Sequence, residues 1–167
     1  GLGYVDIRFE LRELTPSTDY NLGRACASEL LTDVVKNARD VGFERVHVDL
    51  VYGLPNQDAA SLRTAVEALV AIGPDRVLCH PFTRREQDFP HQQLIGIDSM
   101  PSLADKMTMF ATIADAFQAA GYVWIGINGF VRPGDELVKA QTDGELFRGW
   151  LGYCKSSSPW LMGFGLG

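Results

Sequence analysis

The side chains best able to do chemistry in this sequence are few and far apart. Asp49 stands late in the apolar run Val48-Asp-Leu-Val51, where an unpaired acid would be costly to bury, so it is either a ligand-facing group or a hydrogen-bonded structural acid. Arg24 closes Asn21-Leu-Gly-Arg24 just ahead of a helical stretch. Its planar guanidinium suits a carboxylate or a ribose, and the plainer reading is a solvated loop arginine. Cys79 and His80 are adjacent and invite a thiol–imidazole nucleophile. With no supporting pattern around them, a core thiol beside a loop histidine is the simpler account.

Other polar groups carry weaker signals. His47 alternates into an apolar strand as a satisfied sheet histidine, and His91 lies in a polar stretch. Arg84, Arg85, Arg132 and Arg148 could draw an anionic substrate or be ordinary surface charge. Gly163, Gly165 and Gly167 form a GxGxG without a following helix, a weak phosphate signal. Trp150, Tyr153 and Trp160 could face a flat ligand or belong to the core. The three cysteines, Cys26, Cys79 and Cys154, show no CxxC spacing, and no two histidines stand four apart. A disulfide scaffold and a structural zinc site are therefore disfavoured.

The elements that must position these residues alternate. Tyr4–Phe9 mixes β-branched and aromatic residues with alternating charge, the pattern of a half-exposed or lumen-facing strand. Leu30, Leu31, Val34, Val35 and Ala38 recur at helical spacing from Ser28 to a Gly42 stop. Arg45–Val51 is β-rich and ends at Tyr52-Gly-Leu-Pro55; Leu62, Ala65, Val66, Leu69 and Val70 mark a second helix closed by Gly73-Pro74. Arg76–His80 predicts a third strand, and 81–99 a long polar loop, which in a compact domain suggests a functional segment. Pro101-Ser102 opens the longest helix, Tyr122–Ile127 is a fourth strand, a short helix follows Pro133-Gly-Asp-Glu136, and Trp160–Phe164 is a terminal strand. Strands alternating with helices of ten or more residues predict an α/β fold with a parallel sheet from βα repeats. It is either a small open domain or half of an α/β barrel, since barrels run to about 250 residues. A chain that starts almost in a strand and stops at Gly-Phe-Gly-Leu-Gly167 favours the half barrel.

Composition narrows the partners. Within 167 residues, 15 Lys and Arg against 21 Asp and Glu give a net charge of −6, which disfavours a broad grip on nucleic acid or an anionic membrane. Charges at Asp6, Arg8, Glu10, Arg12, Glu13 and Asp19 break any signal-peptide core, and no apolar run approaches 18 residues. A soluble, cytoplasmic protein of a reducing compartment is the expectation.

Several segments taken together are more specific than any one. Val48-Asp-Leu-Val-Tyr-Gly-Leu-Pro-Asn-Gln57, Gly73-Pro-Asp-Arg76, Gly121-Tyr-Val-Trp-Ile-Gly126, Phe130-Val-Arg-Pro-Gly-Asp-Glu-Leu137, Ala140-Gln141, Leu146-Phe-Arg148, Gly152-Tyr153 and Gly163-Phe-Gly165 occur in this order. In order and spacing the chain resembles the oxygen-independent coproporphyrinogen III oxidases, a radical S-adenosylmethionine family. The resemblance implies that residues 1–167 are the second half of a partial TIM-like radical-SAM barrel. The absent first half would carry a Cys-x3-Cys-x2-Cys motif for a 4Fe-4S cluster. It also implies oxidative decarboxylation of porphyrinogen propionates in haem biosynthesis, with a tetrapyrrole as small-molecule partner. An isolated half would be inactive and prone to self-association.

The same resemblance implies S-adenosylmethionine contacts at Arg24, Asp49, Val51, Arg12 and Thr83; it names no catalytic residue and no metal ligand in this chain. Arg12 stands where the family has a ligand-binding glutamine, within Glu10-Leu-Arg-Glu-Leu14. Pro81-Phe-Thr-Arg84 replaces an Asn-Tyr-Ala-His stretch, and Ile127-Asn-Gly-Phe130 replaces Met-Asp-His-Phe, losing an acid and a histidine. The alternative reading is a haem- or tetrapyrrole-binding relative without oxidase activity. A complete small α/β domain binding a phosphate ranks third.

Overall fold

The computed structural model describes residues 5–11, 28–150 and 152–155. Two βα units and a third strand come first: β1 (Asp6–Leu11), α1 (Ser28–Asp40), β2 (Arg45–Tyr52), α2 (Ala59–Ile72) and β3 (Arg76–Pro81). Two 3-10 turns, Pro90–Leu94 and Ile97–Ser99, precede α3 (Leu103–Ala119); then come β4 (Val123–Ile125), β5 (Gly129–Val131), α4 (Glu136–Asp143), β6 (Phe147–Gly149) and β7 (Gly152–Cys154). The main sheet has the order β1-β2-β3-β5-β4, and β6-β7 form a separate hairpin.

Local chemistry sets the helix ends. Asp58 and Ser61 make a reciprocal capping box that opens α2, and Gly73 in the left-handed region closes it. Ser102 and Asp105 do the same at the start of α3. Asp135 caps α4 by accepting from the Leu137 backbone N–H.

β1, β2 and β3 pair in parallel, as the βα alternation predicts. The fourth predicted strand differs. It is only Val123–Ile125, and it does not pair with β3: the chain turns at Gly126, which has φ +55°, and returns as β5, antiparallel to both β3 and β4. A three-residue return strand is too short to leave a period-2 signal. The β6-β7 hairpin went unread for the same reason, and the predicted strand at Trp160–Phe164 lies outside the described residues. The predicted long loop is held by its own bonds: the buried Gln92 accepts from the Arg85 backbone N–H at 2.5 Å, and Arg84 donates to the Gln92 carbonyl at 3.1 Å.

The sheet has two unlike faces. Along β2 the residues alternate half-exposed and buried. Val46, Val48, Leu50 and Tyr52 join Val77 and Cys79 of β3 and Leu11 of β1 under α1, α2 and α3, where Leu31, Val35, Leu62, Val66, Leu69, Ile113 and Phe117 complete one core. Each fully buried large side chain there contributes about 1.5–3 kcal/mol. Arg45, His47, Asp49 and Val51 point the other way. Among the described residues, α4 and the hairpin cover part of that face, around a small cluster of Ile125, Val131 and Leu137.

Candidate functional site

The carboxyl ends of β1–β3, seen from the open face, bring together Glu10, Asp49, Val51 and His80. Glu10 is in register with Asp49, Asp49 with Leu78, and Val51 with His80. The end of β2 is shaped by a tight turn in which the Gln57 side-chain oxygen accepts from the Gly53 and Leu54 backbone N–H groups at 2.7 and 3.2 Å. Gly53 has φ +74°, and the Lys106 side chain packs where a Cβ would be. Phe82 N–H donates to the Tyr52 carbonyl at 2.7 Å, so the chain leaving β3 stays beside the end of β2.

Asp49 is gripped by Arg8 of the neighbouring strand: Nε donates to Oδ2 and Nη2 to Oδ1, both at 2.6 Å. His80 is half-buried on the same face. Burial lowers its pKa below the ordinary 6.5, with Asp49 opposing and Arg8 and Arg148 reinforcing that shift. Cys79 points into the opposite, helix-backed side and is fully buried, which pushes its thiol pKa far up. Adjacent strand residues face opposite ways, so the thiol–imidazole pair does not exist.

Towards the amino ends of the strands the open face carries a cavity of about 780 Å3, lined by Arg8, His47, Arg76, Leu78, Ile125 and Arg148 among others. The β6-β7 hairpin roofs it. Tyr153 fastens that roof, its ring lying where a Cβ on Gly126 would be and 3.2 Å from where one on Gly129 would be. Its hydroxyl accepts from the Ile127 N–H at 2.7 Å and from Arg148 at 3.0 Å. Arg148 also donates to Asn128 Oδ1 at 2.6 Å, while Asn128 Nδ2 donates to the Cys79 carbonyl at 2.7 Å. The Asn128-Gly129 dipeptide is therefore committed to packing and turn geometry.

The remaining sequence candidates sort as follows. Thr83 is exposed, just past the end of β3, while Val51 is half-buried on the Asp49 face. Arg12, Arg24, Cys26, Trp160 and the GxGxG glycines lie outside the described residues. His47 is not the satisfied sheet histidine expected: its Nε2 is buried without a hydrogen-bond partner, 3.9 Å from Asp6 Oδ2, and burial followed by Arg76 lowers its pKa. Trp150 is 96% exposed at the hairpin turn, so it belongs to no core. Arg84, Arg85 and Arg132 each have an acidic partner, Glu86, Asp88 and Asp75, and only Arg148 of the four reaches the cavity. Of the site-builders, Arg8 is the one the sequence did not point to; Tyr153 and Asn128, both singled out by it, anchor the hairpin. The alternating charge of β1 already placed Arg8 on a polar face; its register against Asp49 was the part not readable.

Among the described residues no group of three His, Cys, Asp or Glu side chains could hold a metal ion, so they do not fit an iron–sulfur cluster. The strand-end set fits a polar organic ligand better: an anchored carboxylate, a histidine and the aliphatic Val51 on one face.

A βα sheet with helices on one side and a polar, open carboxyl-end face is the architecture of a partial α/β barrel. Solved coproporphyrinogen III oxidase (HemN) from Escherichia coli, described as a radical SAM enzyme, superposes with a TM-score of 0.86 at 27% identity over 92% of this chain and 36% of that one. Curated oxygen-independent coproporphyrinogen III oxidases match this chain over nearly all of its length, and only part of their own. The Thermostichus vulcanus enzyme is 31% identical over 99% of this chain and 51% of its own length. The Synechocystis sp. enzyme is 34% identical (99% and 35%), and that of Pseudomonas aeruginosa 30% (99% and 36%). No protein-family model matches. The chain is thus similar to one portion of the oxygen-independent coproporphyrinogen III oxidases, spanning about a third to a half of these relatives' length.

Proposed function

We propose that residues 1–167 form the second half of the catalytic barrel of an oxygen-independent coproporphyrinogen III oxidase-like enzyme, acting in the cytoplasm on a tetrapyrrole. The observation that most supports this is the 31% identity to such an enzyme across 99% of the chain. In this reading the ends of β1–β3 hold S-adenosylmethionine, which supplies the radical when bound together with a 4Fe-4S cluster whose ligands lie outside this chain. Asp49 accepts a hydrogen bond from the cofactor, and Val51 gives an apolar surface on the same face. Thr83, Arg24 and Arg12 complete the contacts. The cavity under the hairpin, which shares Arg8 with the Asp49 site, leaves room for substrate, and Tyr153 holds the hairpin over it.

The test uses the full-length protein containing this chain, reconstituted with iron and sulfide and given a reductant, S-adenosylmethionine and coproporphyrinogen III. Formation of 5′-deoxyadenosine with loss of two carboxyl groups from the substrate is expected. Absence of 5′-deoxyadenosine overturns the reading.

One observation favours a second reading. Asn128 and Gly129 stand where the family resemblance expects an acid and a histidine, and both are taken up by packing. A tetrapyrrole-binding relative without oxidase activity would bind haem saturably and leave S-adenosylmethionine uncleaved. Light scattering on the isolated chain separately tests the expected self-association: a monodisperse monomer contradicts it.

A further inference from the structure

The acid assigned above to cofactor binding is not a lone carboxylate. Arg8 takes one position on each oxygen through two parallel 2.6 Å bonds. An ionised carboxylate offers about four acceptor positions, so the grip leaves room for a second donor while fixing the plane in which that donor must approach. Arg8 is itself constrained. The hairpin passes over it at Gly152, φ +116°, where a Cβ would lie 3.6 Å from an Arg8 nitrogen and 2.7 Å from Leu78.

Joining the strands does not require this pair. β1 and β2 already run in register over six residues, from Asp6 opposite Arg45 to Leu11 opposite Leu50, and a second ion pair, Arg45–Asp6, ties their other end. With Arg8 29% and Asp49 16% exposed, the pair is partly buried, so losing Arg8 also costs some stability by leaving the acid short of a partner, but the register of the strands does not depend on it. Orientation is what it adds.

We infer that Arg8 is the positioning residue for Asp49, holding both carboxylate oxygens in the orientation in which Asp49 accepts a hydrogen bond from its ligand. This rests on the reading of Asp49 as an S-adenosylmethionine contact. Arg8 need not touch the ligand; it acts through the acid.

The test is S-adenosylmethionine affinity by equilibrium dialysis on the full-length protein, unsubstituted and as R8Q, R8K, D49N and R8Q/D49N, with melting temperatures alongside. At metal sites, removing the partner that orients a ligating side chain costs about 10- to 100-fold in affinity; R8Q is expected to lose affinity on the order of the lower end of that range. R8K keeps the charge and one bond, so it should lie between R8Q and the unsubstituted protein; it also serves if R8Q fails to fold. In the D49N background R8Q should cost nothing further, an outcome that a merely structural arginine would not give. Unchanged or tighter binding by R8Q and R8K, or an equal loss with and without Asp49, overturns the inference alone. Absence of binding by the unsubstituted protein overturns the reading of the site and the inference with it.

Discussion

The two faces of one strand obey different rules. On β2, Val46, Val48, Leu50 and Tyr52 are at most 7% exposed under three helices, and what matters there is volume. One residue out of phase, Arg45, His47, Asp49 and Val51 look onto an open, polar face, and what matters there is which partner each charge finds. Arg45 finds Asp6, and Asp49 finds Arg8. His47 has the Arg8 strand on one side and Arg76 on the other, and its inner nitrogen finds nothing. The helix-backed face therefore holds the core, and the open face holds the paired charges.

The sharpest way to break that contrast is to disturb each face in its own terms. Phe117 stacks on Phe130 at 5.1 Å in the core, and F117A should lower unfolding free energy by about 3–5 kcal/mol in urea titrations. On the open side Arg76 is bound through Nε and Nη2 to Asp135, with side chains only 10% and 4% exposed. R76M alone, leaving that acid stranded, should cost about 3–5 kcal/mol, and R76M/D135N clearly less. If the double variant is the worse of the two, the charge-pairing account of this face fails.

Smaller effects sharpen it. Gly126 adopts φ +55° with the Tyr153 ring 2.3 Å from any added Cβ. G126A should cost about 1–3 kcal/mol and loosen the hairpin, read as faster amide exchange across β6 and β7. A pH titration gives the smallest signal. His47 and His80 both have folded-state pKa values below the ordinary 6.5, chiefly through burial. The unfolded chain then binds these protons more tightly, so stability is whole above about pH 6.5 and is lost as pH falls below it through the lower folded-state values. H47Q should flatten part of the slope; an unchanged slope would assign it elsewhere.

Much of this organisation was legible beforehand, for physical reasons. The period of 2 in Arg45–Val51 and of 3.6 in Leu62–Val70, punctuated by Gly53, Gly73 and Pro74, reports burial and chain reversal directly. Asp49 was conspicuous because an acid in an apolar strand needs an explanation. What escaped was whatever depends on register or on very short elements. Arg8 meets Asp49 only because β1 and β2 pair with Arg8 opposite His47. β5 and the hairpin, three residues a strand, depend on Gly126, Asn128 and Tyr153 meeting across 25 or more residues. Cys79 and His80, neighbours in sequence, are separated by the sheet itself.

In the proposed reading this protein meets S-adenosylmethionine at the carboxyl ends of β1–β3, on the open face. Hydrogen–deuterium exchange of the full-length protein with and without S-adenosylmethionine tests it most directly. The account expects protection concentrated at residues 10–11, 49–53 and 80–83, with the core of α2 and α3 unchanged. Protection confined to other regions, or none at saturating cofactor, would contradict it.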